Sequence, residues 1–216
     1  MGAEDAPMYL PSNLAPLAKN ALPKSAKRFI LLNLLGIRRR YADLRSRPSR
    51  LFLEHEIMPW LAKHYDRVLF VGAAPYTYQF EKLFRRNRGQ YTTIDPHDGT
   101  AVWGARQHIV APLQEIERHR PEGYFDCVVL NGVFGFGIDD LESQRTAIRV
   151  IHRALSAGGL LLVGWNTNLI PDLGELGLCE PYFTSTVKDL PWPHRTRFPP
   201  PETHVYDFYT RLGTSR

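Results

Sequence analysis

Residues Arg67–Phe80 read RVLFVGAAPYTYQF, and residues Tyr91–Gly99 read YTTIDPHDG. The first is an apolar run that breaks at one glycine, two alanines and a proline. The second is an apolar run that breaks at an aspartate. RVLFVG has the near-continuous apolar character of a parallel strand covered on both faces. PYTYQFEKLFRRN reads as the helix behind it and QYTTID as a second strand. Small residues at Gly72, Ala73 and Ala74 let a ligand approach the backbone of the turn. Asp95, at the tip of the second strand, follows Gly72 by 23 residues, close to the ~20 expected of an acid that holds a ribose.

Alternation of strand and helix continues outward from this unit. QHIVA reads as a short third strand, PLQEIERHR as a helical stretch, and YFDCVVLNG as a fourth strand. DLESQRTAIRVIHRAL reads as a helix, SAGG ends it, and LLLVGWN is the fifth strand. Two late strands, HRTRF and HVYDFYTRL, have no crossover helix between them and close the sheet as an antiparallel hairpin. The fold class this implies is α/β, a Rossmann-like doubly wound sheet of about seven strands, mostly parallel with a C-terminal antiparallel hairpin. Upstream, Ser49 reads as the N-cap of RLFLEHEIMPWLAKHY, whose Leu53, Ile57 and Leu61 share one face, and Pro59 should kink or shorten that helix. Residues 1–48 form an N-terminal arm and basic helical extension, a candidate lid, and residues 49–216 form the main domain.

The chain of 216 residues is 44% hydrophobic and 23% charged, enough for one domain with a sizeable core. The apolar segment FILLNLLGI falls well short of the ~20 residues a bilayer requires, and the acidic Glu4 and Asp5 do not suit a signal peptide. A cytoplasmic protein is therefore expected. Cys127 and Cys179 fit no C-x-x-C motif, and no metal-ligand set is assigned. Between Lys24 and Arg50, nine basic residues face one acid, Asp43, in a chain whose formal net charge is +5. Basicity thus belongs to the N-terminal segment and not to the whole domain. This segment has three readings: a solvated face, a peripheral membrane contact, or a phosphate-contacting patch. Phe29 and Tyr41 are its only aromatics, so no stacking platform for single-stranded nucleic acid is evident.

The turn after the first strand narrows the choice of cofactor. A dinucleotide site needs G-x-G-x-x-G. The corresponding positions here are Gly72, Ala74 and Thr77, and Pro75 removes an amide. Nothing there cradles two phosphates, which excludes a nicotinamide oxidoreductase. A cofactor without phosphates has weaker needs, since its amino-acid end can meet the turn while Asp95 accepts hydrogen bonds from a ribose.

The whole arrangement resembles the class I S-adenosylmethionine-dependent methyltransferases over about Leu51–Leu212. VLFVGAAPY stands at that family's glycine-rich first motif, YTTIDPH at its acidic second motif and FDCVVLNGVFGFGIDD at its fourth. IRVIHRALSAGGLLLVGWN resembles its helix, Gly-Gly turn and fifth strand, and HVYDFYTRL its seventh. The resemblance implies S-adenosyl-L-methionine as cofactor, with Gly72, Ala73, Ala74 and Pro75 lining the methionine portion and Asp95 holding the ribose. Pro96 and His97 would lie near the adenine, Val110 would flank it, and Asn131 and Gly132 would border the sulfonium and the substrate. It also implies that the N-terminal segment covers the acceptor. Phe70, Ala74 and Tyr76 depart from the family pattern, which keeps a non-catalytic relative as an alternative.

Methyl transfer needs an aligned acceptor and, for a hydroxyl nucleophile, a base. The catalytic group is left unassigned, with His108, Asn131 and Tyr76 as candidates. Asn131 is followed by Gly132 and Val133, not by the two prolines of the Asp/Asn-Pro-Pro-Tyr signature, which argues against a nucleic-acid base being clasped there. Phe134 and Phe136 either wall an apolar acceptor pocket or bury against the next helix. Asp139 and Asp140 read as helix caps. Trp165 and Asn166, at the tip of the fifth strand, point to the active-site edge. The expected activity is methyl transfer to a small-molecule acceptor of acidic or aromatic character, in a biosynthetic or tailoring pathway. The alternatives are a non-catalytic partner or scaffold protein, and an RNA methyltransferase.

Overall fold

A computed structural model describes residues 22–34 and 42–213. Expectations for residues 1–21 and for Arg38, Arg39 and Arg40 lie outside the described residues. Five strands make the parallel part of the sheet: β1 (Arg67–Val71), β2 (Gln90–Asp95), β3 (Gln107–Val110), β4 (Phe125–Asn131) and β5 (Leu155–Asn166). Three more follow, β6 (Phe183–Thr184), β7 (Arg195–Arg197) and β8 (His204–Arg211). The sheet order is β3-β2-β1-β4-β5-β8-β6, with β7 also paired to β8. Pairings among β1 to β5 are parallel, and all those to β8 are antiparallel. The doubly wound sheet and its closing hairpin are thus as the sequence implied, with an eighth strand added by the two residues of β6.

Strand alternation builds two cores. Leu69, Val71, Val128, Leu130, Leu161 and Val163 point to one face, where they meet Ala147, Ile148 and Ile151 of the long helix Leu141–Ala154. Val68, Phe70, Cys127, Val129, Leu160 and Leu162 point to the other, against Leu53, Ile57, Met58 and Leu61. Burial on both faces is why these strands read as unbroken apolar runs.

Seven α-helical segments are present among the described residues: α1 (Lys24–Phe29), α2 (Ala42–Ser46), α3 (Pro48–Phe52), α4 (Met58–His64), α5 (Glu81–Arg86), α6 (Leu141–Ala154) and α7 (Leu173–Leu176). Several differ from the sequence reading. Ser49 is not the cap, because Pro48 takes the first helical position after Arg47, where a missing amide costs nothing. Pro59 falls in the first turn of α4, and the irregularity expected of it takes the form of a π-helical turn at Leu53–Ile57 that links α3 to α4. The helix behind β1 begins only at Glu81, because Thr77 Oγ1 accepts from the Ala74 amide at 3.0 Å and ties residues 74–77 into a turn. PLQEIERHR is reduced to a 3-10 run at Leu113–Arg118. The strand β5 starts directly after α6, so Gly158 and Gly159 lie within its irregular first half and not in a separate turn.

Among the described residues, no helix is long and apolar enough to cross a membrane. Both cysteines are free and buried.

Candidate functional site

The chain leaves β1 towards β2 and β3, then returns to place β4 on the other side of β1. That reversal opens a crevice beyond the strand tips, where ligands settle in doubly wound sheets. A cavity of about 340 Å³ occupies it, within the range typical of small-molecule sites.

One half of the cavity is built on β1 and β2. Gly72 follows β1 with φ +89°, and a Cβ on it would meet nothing within 4 Å, so the turn stays open on its ligand side. Asp95, 8% exposed, is held from two directions. Its Oδ2 accepts from the Ala73 amide at 3.0 Å and its Oδ1 from the His97 amide at 2.9 Å. Each carboxylate oxygen has further lone-pair capacity after these bonds. Gly72, Ala73, Ala74, Pro75, Pro96 and His97 all line the cavity, together with Leu113 and Gln114. The helix behind β1 starts only at Glu81, so the Gly72 turn is not followed directly by free helical amides, in keeping with its poor fit to a pyrophosphate.

Tyr76 also lines the cavity without filling it. Arg50 reaches over from α3: its Nη2 donates to the Tyr76 carbonyl at 2.5 Å, its Nε to Glu54 at 2.7 Å, and its guanidinium lies 4.5 Å from the Tyr76 ring centroid.

The other half is built on β4, β5 and β8. Asn131 ends β4, Asn166 ends β5, and His204 begins the antiparallel β8, so three residues far apart in sequence meet at one edge. His204 Nδ1 lies 2.8 Å from Asn166 Oδ1 and His204 Nε2 lies 3.0 Å from Asn131 Oδ1. The imidazole also packs edge-on to Tyr206, with ring centroids 4.6 Å apart. Burial, reinforced by the cations of Arg50 and Arg47, pulls the His204 pKa down to about 3, so the ring is neutral near pH 7. Gly164 makes this arrangement possible, since a Cβ there would stand 1.9 Å from Asn131 Oδ1. Gly132, Phe136, Glu202 and Arg47 complete the rim.

The predicted residues therefore divide. Asn131, Gly132 and the whole Gly72 and Asp95 set share one cavity, but His108 and Val110 are not among its lining residues. His108 sits two positions before the end of β3 with Nδ1 2.8 Å from Thr93 Oγ1, and burial with the Lys24 cation lowers its pKa. Val110 is 46% exposed on the sheet's edge strand, and Pro112 to Gln114 line the cavity in its place. Phe134 is buried in the core, whereas Phe136 lines the cavity. Asp140 caps α6 by accepting from the Ser143 amide at 2.9 Å. Trp165 turns inward and donates from Nε1 to Asp207 at 2.8 Å, while its neighbour Asn166 faces the site. His204, Glu202, Arg47 and Arg50 were not singled out as site residues from sequence. The signal for His204 was its place at the start of an antiparallel strand, which puts a first residue where parallel strands put their last.

The basic helix α1 is docked on the domain. Arg28 donates to the carbonyls of Val102 and Gly104 at 2.6 and 2.7 Å, and Lys24 to that of Ala105 at 3.0 Å. Leu31 and Leu32 pack with Ala73, Val102 and Trp103.

Sheet order and the crevice at its switch point define the fold of the class I S-adenosylmethionine-dependent methyltransferases. Three solved structures similar to this chain have that character. N-methyltransferase NodS from Bradyrhizobium japonicum WM9, in complex with S-adenosyl-L-homocysteine, is 14% identical with a TM-score of 0.56, over 79% of this chain and 91% of that one. The 1,6-didemethyltoxoflavin-N1-methyltransferase of Burkholderia thailandensis, with bound 1,6-didemethyltoxoflavin and S-adenosylhomocysteine, is 17% identical with a TM-score of 0.53, over 97% and 93%. A TehB-like SAM-dependent methyltransferase from Corynebacterium glutamicum is 16% identical with a TM-score of 0.52, over 83% and 96%. No family model matches the sequence, and no curated protein does.

Proposed function

We propose that the protein transfers a methyl group from S-adenosyl-L-methionine to a small-molecule acceptor. The observation that carries this reading is the continuous cavity joining the Gly72 turn and Asp95 to the Asn131–His204–Asn166 floor. The residues present suit the cofactor. Gly72, Ala73, Ala74 and Pro75 would border its methionine portion, and Asp95, fixed by two backbone amides, would accept from the ribose hydroxyls. Pro96, His97 and Leu113 would enclose the adenine, with Asn131 and Gly132 towards the sulfonium. When bound, the cofactor supplies an electrophilic methyl group, so the protein's task is chiefly to position the acceptor and to exclude water.

The open crevice favours a catalytic protein over a non-catalytic scaffold, since Arg50 holds Tyr76 at the wall. An RNA acceptor is disfavoured because Lys24, Arg28 and Arg50, three of the nine basic residues, are spent on contacts within the chain. The same contacts support the arm as a cover beside the cofactor turn.

Calorimetry with S-adenosylhomocysteine tests the proposal. Saturable heat is expected, and Asp95→Ala should weaken binding at least tenfold. No heat with the wild-type protein overturns it.

A further inference from the structure

We propose that Asn131, His204 and Asn166 act as one recognition unit that presents a hydrogen-bond donor and a hydrogen-bond acceptor side by side, and that the acceptor substrate is a neutral planar heterocycle carrying an N–H beside a C=O. This rests on the methyl-transfer reading and names the substrate class of that same cavity.

Both nitrogens of the His204 ring lie beside carboxamide groups, at 2.8 Å from Asn166 and 3.0 Å from Asn131. A neutral imidazole has one N–H and one bare nitrogen. It therefore donates to the oxygen of one amide and accepts from the NH2 of the other, with that second amide turned by half a rotation about its last bond. The alternative, an imidazolium donating to both oxygens, would place a charge in a partly buried site already flanked by Arg47 and Arg50. Neutrality has a geometric consequence. The amide that gives its oxygen to the ring keeps its NH2 for the cavity, and the amide that gives its NH2 keeps its oxygen. Among the described residues, neither amide has a second protein partner, and both line the cavity.

Such a pair matches the edge of a lactam, which offers a donor and an acceptor of its own. A carboxylate offers only acceptors and would leave the exposed amide oxygen unmatched, which disfavours it against a lactam. The rim charges point the same way. Arg50 is committed to Glu54 and the Tyr76 carbonyl, and Glu202 stands opposite in sign to Arg47, so the cavity carries no surplus cation dedicated to an anion. Phe136 and Tyr206 add flat apolar walls that suit an aromatic ring.

The test uses 2-pyridone as the lactam probe, with N-methyl-2-pyridone, which lacks the donor, and benzoate, which lacks it and is charged. Binding is measured by ligand-observed NMR with the full chain, with and without S-adenosylhomocysteine. Saturable binding of 2-pyridone, at least tenfold tighter than of either control, is expected. In Asn166→Leu that preference should vanish while S-adenosylhomocysteine affinity stays within about threefold. Asn166→Ser serves the same purpose should the leucine variant not fold. Benzoate binding as tightly as 2-pyridone, absence of saturable 2-pyridone binding, or an intact preference in the folded variant overturns the proposal. Failure of the methyl-transfer reading is seen separately, as absence of S-adenosylhomocysteine binding in a titration without any acceptor probe.

Discussion

Replacing Gly164 with alanine probes the acceptor floor without touching a residue that faces the ligand. Gly164 lies in the middle of the sheet, paired with Asn131 on β4 and Tyr206 on β8. An added methyl would stand 1.9 Å from Asn131 Oδ1, and 2.9 Å from both Asn131 Cγ and His204 Nε2. Its backbone lies outside the left-handed region, so the cost comes from contact alone. The Asn131 amide is the end of a mobile side chain and can swing aside, which avoids a hard clash but breaks its hydrogen bond to His204. Leaving that ring nitrogen unpaired costs about 1–3 kcal/mol. For a domain of this size each kcal/mol lowers Tm by about 2–4 °C, so a fall of roughly 2–12 °C is expected. The carboxylate of Asp95 and the Gly72 turn are not disturbed, so S-adenosylhomocysteine should still bind, its loss limited to what the displaced Asn131 contributes near the sulfur. Thermal unfolding with calorimetry of the same preparation reads both quantities. A variant with wild-type Tm and an unaltered preference for 2-pyridone would refute the claim that Gly164 exists to admit Asn131.

Two further outcomes follow from the same geometry. His204 is neutral in the folded chain down to about pH 3, whereas an unfolded chain takes up that proton near the ordinary histidine pKa of ~6.5. The stabilisation is therefore complete above pH 6.5 and is lost as pH falls from there towards 3, at up to about 1.4 kcal/mol per unit. Denaturant titrations at pH 7, 6 and 5 should show the wild-type chain losing more stability than His204→Gln, and parallel losses would contradict this. Arg28→Ala removes two hydrogen bonds from α1 to the carbonyls of Val102 and Gly104. At about 1.5 kcal/mol in total, discounted for partial exposure, cleavage within residues 22–34 should speed up roughly tenfold in limited proteolysis, and an unchanged rate would count against the docking.

Much of the fold was legible because parallel strands buried on both faces must be apolar through their middle, as VLFV and CVVL are within β1 and β4. Half of the site was legible for a related reason: Gly72, Asp95 and Asn131 stand at strand ends, where an apolar run stops. Other features depend on contacts that no local pattern reports. The segment after Gly72 looks helical, but the Thr77 side chain competes for the Ala74 backbone and delays the helix to Glu81. A two-residue strand such as β6 has no periodicity to detect. His108 looked like a site residue because it is near a strand end, yet it lies two positions short of that end and bonds Thr93 on the neighbouring strand. His204 escapes a sequence reading for the opposite reason. Its strand runs antiparallel, so its first residue and not its last arrives at the ligand edge.

That reversed strand also sets an order of events during synthesis. The strands β1, β2 and β4 supply the Gly72 turn, Asp95 and Asn131 early, but His204 enters only with β8, which also lies between β5 and the short strands β6 and β7. A nascent chain halted before residue 204 has neither a finished sheet nor a finished floor. Completion of the sheet and completion of the cavity floor thus arrive together, with one strand emerging from the ribosome.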